Sequence, residues 1–338
     1  MEKMLNIALD GMGGDNAPLE IVKGAVKATK DLDNVNITIL GDEKAINDVL
    51  SGLDYDKERI TVFPTTEVIE MAEPPVNAIR SKKDSSIVRG MYLVREGKCD
   101  AFVSGGSTGA ILVGGQVIVG RSKGVERPPL APLFPTTKGF SILVDCGANV
   151  DSKPSQLVQY AKMGSIYLKE ICGVENPTVG IVNIGAEEEK GNALVKETFP
   201  LLKACKDINF VGSVEARDIP DGAVDVIVCD AFVGNVILKL YEGTASALMK
   251  VIKKGMMSSL RGKIGGALVK PSLKKTIVAY SAADQGGAPL LGLKGLVVKM
   301  HGNSTELECA AAIRQCVKFY DADMINKIAN SIGKADSE

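Results

Sequence analysis

Short aliphatic runs recur along this chain, and each stops at a polar loop of Gly, Asn, Asp or Ser before a helical pattern begins. Met4–Leu9 runs into "DGMGGDNAP", Ala101–Val103 into "SGGSTGA" and Phe140–Val144 into "DCGANVDSKP". Thr178–Asn183 runs into "IGAEEEKGN" and Val224–Val228 into "CDAFVGN". Runs this short and rich in β-branched residues read as buried strands, and the longer spans between them read as crossover helices. The alternation predicts an α/β fold built on a largely parallel sheet with helices on both faces. In such sheets the ligand crevice lies beyond the carboxyl ends of the strands, so the polar loops are expected to converge on one cleft.

The first 63 residues read βαβαβ. The strands are Met4–Leu9, Asn36–Leu40 and Ile60–Phe63, and the helices are Pro18–Lys30 and Glu43–Leu50. Glu67–Lys83 is irregular, and a helix capped near Asp84–Ser86 runs to about Glu96. Residues 127–139, "RPPLAPLFPTTKG", are Pro-rich and read as a stiff crossover or subdomain boundary. Helices are expected at Ser155–Ile171, Ala193–Cys205, Val236–Lys254 and Thr305–Asn330, and further strands at Phe210–Val214, Thr276–Tyr280 and Gly295–Met300. The organisation expected is one α/β catalytic domain over residues 1–332, with two subdomains meeting near 127–139. A basic helical arm spans 243–275, and a frayed tail follows at 333–338.

Composition removes several classes. Aromatic residues are 4% of the chain and Trp is absent, which argues against a base-stacking nucleic-acid platform. The seven Cys, at 99, 146, 172, 205, 229, 309 and 316, form no C-x-x-C pair, which fits a reducing cytoplasm and no zinc site. No apolar run approaches the ~20 residues that a membrane span needs. The dinucleotide pattern G-x-G-x-x-G fails, because from Gly11 its last position falls on Asn16. A Walker loop and a G-x-S-x-G elbow are both absent. His301 is the only histidine, so a His-rich metal site is excluded.

Asp100–Gly115 is the most suggestive stretch. A strand that turns through Gly105 and Gly106 into a helix leaves free backbone N–H groups at the positive end of the helix dipole, which favours an anion such as phosphate. Gly105, Gly106 and Gly109 would let a ligand approach the backbone, and Ser107 and Thr108 add hydroxyls. A plain turn with Ser107 as helix cap is the equal alternative on this stretch alone. The other loops supply Asp10, Gly13, Gly14 and Asp15; Asp145, Asn149 and Asp151; Asn183 and Lys190; Gly234, Asn235 and Lys239; and His301. Such a set suits orientation and charge stabilisation better than covalent catalysis.

From Gly243 to Ala283 there is no acidic residue, while eight Lys or Arg residues fall there. Within that span Met256, Leu260, Ile264 and Leu268 recur every four residues beside Met257, flanked by Lys253, Lys254, Arg261, Lys263 and Lys270. This reads as an amphipathic helix with a basic face, bracketed by Gly255 and Pro271. It suits an anionic lipid surface or an acidic protein partner, or else packs on a core or a second subunit.

Taken in order, "LDGMGGDNAP", "RSKKDSS", "SGGSTGA", "ERPPLAPLFP", "DCGANVDSKP", "VGIVNIGAEEEKGN", "DAFVGNVILK", "GGAPLLGLKG" and "HGNS" resemble the motifs of the bacterial phosphate acyltransferase family, PlsX, over about residues 5–330. "VGNVILKL" and "GGAPLLGLKG" are also similar to the phosphotransacetylase pattern. The resemblance implies an isocitrate/isopropylmalate dehydrogenase-like fold. It implies transfer of a long-chain acyl group from acyl carrier protein to inorganic phosphate, giving an acyl phosphate for phosphatidic acid and phospholipid synthesis. It further implies a cytoplasmic homodimer at the periphery of an anionic membrane, near the membrane glycerol-3-phosphate acyltransferase that uses the product, with no cofactor and no metal. The family often carries His where Asn16 stands, Asn where Ser107 stands and Gly where Ala231 stands, so an acid–base histidine at position 16 is not available.

The expected chemistry is direct attack by phosphate on the thioester. Ser104, Gly105, Gly106, Ser107, Thr108 and Gly109 hold the phosphate, and Lys190 or Lys239 offsets its charge. Asn149, Asn183 or Asn235 stabilises the oxyanion, and His301 protonates the leaving thiolate. From the residues alone, a metal- and NAD-dependent dehydrogenase of the same fold and a non-enzymatic peripheral membrane adaptor stay open.

Overall fold

The computed structural model describes residues 3–280 and 286–333. Two mostly parallel sheets are present among these residues, where the strand pattern alone suggested one. The first is built around β1 (Leu5–Asp10), flanked in parallel by β2 (Val35–Gly41) and β4 (Ala101–Ser104). β3 (Ile60–Pro64) extends it beyond β2. β11 (Leu296–Lys299) joins β4 in parallel, and the short antiparallel β10 (Ala288–Pro289) closes that edge. β1 and β4 are nearly continuous apolar runs and are buried on both faces, as interior strands of a parallel sheet must be.

The second sheet has the order β5-β6-β9-β7-β8. It comprises β5 (Leu133–Thr136), β6 (Gly139–Val144), β7 (Thr178–Asn183), β8 (Asn209–Glu215) and β9 (Val226–Val228). β5 corrects the reading of 127–139 as crossover only. It is an antiparallel edge strand that carries Pro135, whose missing N–H is tolerated because an edge has one open side.

Helices cover both sheets. α1 (Leu19–Asp31), α2 (Glu43–Leu50) and α4 (Ser86–Arg95) follow the expected pattern, and Ser85 caps α4. α3 (Pro75–Ser81) lies in the stretch that read as irregular. α5 (Thr108–Gly114) continues through a π-helical turn at Gly115–Val119. α6 (Pro154–Cys172) and α7 (Ala193–Ala204) cover the second sheet. The C-terminal span divides into α10 (Glu306–Asp321) and α11 (Met324–Gly333), because Asp323 adopts φ +50°. α10 packs along α1, and Gly24 permits this: a Cβ there would stand 2.5 Å from Cys309 Cβ.

The region of the expected arm forms a helical hairpin. α8 runs from Ala231 to Met257 and α9 from Leu260 to Tyr280. Three expectations change here. Met256 and Met257 end α8 and do not share a helix with Leu260. Gly255 and Pro271 lie inside helices and bracket nothing. Residues 276–280 are helical, not a strand. The turn falls at Ser258–Ser259, where the Ser258 and Ser259 hydroxyls bond Gly255 O and Gly262 N. Gly262 and Gly266 let α9 approach Met256: a Cβ on Gly262 would meet the Met256 carbonyl at 2.4 Å. Residues 242–255 are all exposed, and so are Leu260, Ile264 and Leu268. Ser281–Gln285 and the 334–338 part of the expected tail lie outside the described residues. Among the described residues no helix is long and apolar enough to cross a membrane.

Candidate active site

The ends of β1, β4 and β11 meet in one floor. Ser104, closing β4, donates from Oγ to Asp10 Oδ2 at 2.6 Å and accepts from Gly106 N at 3.0 Å. On its other side Ser104 stands in register with Lys299 at the end of β11. Asp10 also accepts from Met12 N. Burial raises its carboxyl above the ordinary range, against the pull of those hydrogen bonds. Asp15 N donates to Gly302 O at 2.7 Å, which ties the first loop to the last.

Glycine serves this floor differently from the sequence expectation. A Cβ on Gly13 would lie 2.2 Å from Asp10 Oδ2, and one on Gly105 would lie 2.8 Å from Gly13 O. One on Gly14 would meet Gly302 O at 2.7 Å, and one on Gly109 would meet Pro75 Cγ at 2.4 Å. The missing side chains admit neighbouring chain segments, so they compact the loops and do not hold space for a ligand. Ser107 caps α5, with Oγ accepting from Ala110 N, and is buried. Thr108 is exposed at the helix start, and Thr108 and Gly109 line the cleft.

The second sheet forms the facing wall. Asp145, just after β6, accepts from the backbone N–H groups of Leu130, Gly147, Ala148 and Asn149 and from Asn149 Nδ2. Burial raises its carboxyl as well. This network folds the loop back on itself, and α8 starts against it. A Cβ on Gly234 would stand 2.0 Å from the Asp145 carbonyl, so only Gly fits. Asp230 caps α8 through Val233 N at 2.9 Å. One turn on, Asn235 and Lys239 face the cleft. Neither side chain has a hydrogen bond or ion pair among the described residues.

The cleft between the sheets has a volume of about 930 Å³. Thr108, Gly109, Lys299 and His301 line it from the first sheet, and Cys146, Gly147, Asn235 and Lys239 from the second. His301 Nδ1 shares a 2.6 Å hydrogen bond with Asn303 Oδ1, which leaves Nε2 open. Leu112, Leu130, Leu133, Leu238 and Tyr241 give the cleft an apolar wall. Cys146 is buried beside Asp145, and burial pushes its thiol well above the ordinary range, so it is a poor nucleophile.

Asn149, Asn183 and Lys190 are not among the residues that line this cleft, and of the expected phosphate-binding turn only Thr108 and Gly109 are. Asn183 uses its amide on Lys190 O and Ser213 Oγ, and its carbonyl accepts from Ile184 N. Lys190 is exposed and paired with Glu187 at 2.8 Å, which raises its pKa. Asn149 lies beside the cleft, but both amide hydrogens are spent, on Pro128 O at 3.1 Å and Asp145 Oδ2 at 2.8 Å. Lys299 was missed, because "GLVVKM" reads as an ordinary buried strand. The apolar wall was missed too, since its residues come from separated parts of the chain.

A model of the family described as "Fatty acid synthesis protein" matches residues 5–327. The phosphate acyltransferase of Clostridium novyi is 50% identical over 328 residues, covering 97% of this chain and 98% of that protein. A putative phosphate acyltransferase of Clostridium perfringens is 49% identical over 330 residues, covering 98% and 97%. Among solved structures, a phosphotransacetylase from Streptococcus pyogenes superposes with a TM-score of 0.61 over 96% of this chain and 95% of that one. At 16% identity that likeness concerns the fold alone. The dehydrogenase and adaptor readings give way to this membership. The family match over residues 5–327 and about 50% identity across nearly the whole chain lead to one conclusion: the chain belongs to the phosphate acyltransferase family and is an acyltransferase.

Proposed function

We propose that this enzyme moves a long-chain fatty acyl group from acyl carrier protein to inorganic phosphate, by direct attack of a phosphate oxygen on the thioester carbonyl. The C–O bond forms, the C–S bond breaks, and the carrier thiolate leaves and takes up a proton. The product is an acyl phosphate, the activated acyl donor for phosphatidic acid synthesis. The observation that carries this reading is the double character of the cleft between the two sheets. Its apolar wall of Leu112, Leu130, Leu133, Leu238 and Tyr241 suits an acyl chain, and its polar rim suits an anion and an oxyanion.

The roles follow from which groups are free. The N–H groups at Thr108 and Gly109 receive phosphate at the start of α5. Lys239 offsets its charge. The uncommitted amide of Asn235 donates to the tetrahedral oxyanion, an interaction worth about 3–4 kcal/mol when well placed. His301 Nε2 serves the leaving thiolate. No enzyme nucleophile is needed, since phosphate is itself a nucleophile, and the raised thiol of Cys146 fits that economy. Asn149, Asn183 and Lys190 act on loop structure in this scheme. The hairpin of α8 and α9, with its acid-free, Lys-rich segment and exposed Leu260, Ile264 and Leu268, contacts an anionic membrane and the acidic carrier protein. A homodimer at the cytoplasmic membrane surface, handing product to a membrane glycerol-3-phosphate acyltransferase, completes the reading. The two sheets act as subdomains of one catalytic unit.

The decisive experiment mixes the enzyme with a long-chain acyl carrier protein and follows free carrier thiol with and without phosphate. Phosphate-dependent release with acyl phosphate as product is expected. Release that ignores phosphate, or a trapped acyl-enzyme on Ser107, Thr108 or Cys146, overturns the mechanism.

A further inference from the structure

Lys299 closes β11 in register with Ser104, which bonds Asp10 across the next strand boundary. Its side chain is only 8% exposed, yet it lines the cleft beside Gly302 and opposite Lys239. The ammonium donates to the carbonyl oxygen of Gly105 at 3.3 Å and to that of Met300. Among the described residues no carboxylate lies within the 4.0 Å of an ion pair to it. Asp10 and Asp15 act on it only from a distance, and burial brings its pKa down to about 8. A buried cation without a counter-ion costs free energy that a purely structural role would avoid, since a Leu or Met would fill the same strand position. Two of its three N–H donors are used by carbonyls, and the third has no partner among the described residues.

We propose that Lys299 is an anion-binding residue of the cleft: its ammonium completes the site at the Gly105–Gly109 turn and takes up charge on the phosphate from the floor, while Lys239 does so from the facing wall. This rests on the reading of that turn as the phosphate site. It explains why a lysine stands at the end of a strand whose other residues are all apolar, and why its ammonium is fixed on the carbonyl of Gly105.

The test uses the intact enzyme, with sulfate as a non-reacting probe titrated calorimetrically and phosphate as the varied substrate in steady-state assays. Wild type, Lys299→Met, Lys299→Gln and Lys299→Arg are compared, each checked for native unfolding behaviour. Sulfate affinity is expected to fall tenfold or more in the Met and Gln variants and to return within a few-fold in the Arg variant. The KM for phosphate rises in parallel, while the KM for the acyl donor stays unchanged. Wild-type sulfate binding retained in folded Lys299→Met or Lys299→Gln overturns the proposal. Loss of binding that Arg does not restore also overturns it, because a mere prop for the Gly105 carbonyl behaves that way. Failure of the wild type itself to bind sulfate or be saturated by phosphate removes the underlying reading of the turn.

Discussion

The Ser104 hydroxyl donates to Asp10 Oδ2 at 2.6 Å, joining the ends of β1 and β4 beneath the cleft. Ser104→Ala leaves the Gly106 N–H unpaired and removes one of the hydrogen bonds to the buried Asp10 carboxyl, at an expected cost of about 1–3 kcal/mol in urea unfolding. The loss depends on pH in a definite direction. Asp10 already has a raised pKa in the folded state, so the folded state binds more protons above pH 3.8 and this group weakens the fold as pH rises from there. Removing Ser104 raises that pKa further, because its hydrogen bond lowers it. The destabilisation is therefore larger at neutral than at acid pH, and an equal loss at both counts against this account.

Gly234→Ala tests the seat of α8. Helix propensity favours Ala by about 1 kcal/mol. A Cβ at 2.0 Å from the Asp145 carbonyl outweighs it, since neither backbone can yield cheaply. The variant is expected to lose stability by roughly 2 kcal/mol or more, within the range for overpacked sites, and to lose turnover as Asn235 and Lys239 shift. A gain in melting temperature refutes the contact.

Asn235→Ala and Asn149→Ala separate chemistry from scaffolding. The free amide of Asn235 predicts a fall in kcat of roughly 100-fold with little change in stability. The committed amide of Asn149 predicts the opposite, a loss of about 1–3 kcal/mol in unfolding as Pro128 O and Asp145 lose a donor. Steady-state kinetics beside denaturation curves distinguish the two, and interchanged results reject the assignment.

Lys299 also leaves a signature in stability. Its pKa falls from 10.5 to about 8 on folding, so the unfolded state binds more protons between those values and this group's cost fades as pH rises through them. Relative to wild type, Lys299→Met should be favoured more at neutral pH than near pH 10.5, by up to about 3 kcal/mol. A pH-independent difference speaks against a charged buried lysine.

The hairpin makes a prediction on vesicles. Burying Leu260 and Ile264 in a bilayer interface contributes about 1.5–3 kcal/mol each. Replacing both with Glu should reduce flotation with anionic vesicles at least tenfold, and the added negative charge should also raise the KM for acyl carrier protein. Unchanged flotation ends the membrane role of this hairpin.

The sequence by itself determined most strands, most helices and the family. Apolar period and loop chemistry are local, so β1, β2, β7 and α2 lie close to where the pattern puts them. Nine ordered motifs likewise identify a family without any fold. Three-dimensional packing decided which polar residues are free. Asn149, Asn183 and Asn235 look alike in sequence, yet hydrogen bonds from distant segments consume two of these amides and leave the third open. Lys299 looks like a strand end, and only its alignment with Ser104 and Asp10 places a buried cation in the cleft. Tertiary approach also set the purpose of the glycines, since Gly13, Gly105 and Gly234 are small to admit backbone or side chains far away in the chain or across a loop. Local propensity records what a segment prefers; satisfaction and burial are properties of pairs, and those pairs exist only once the chain has folded.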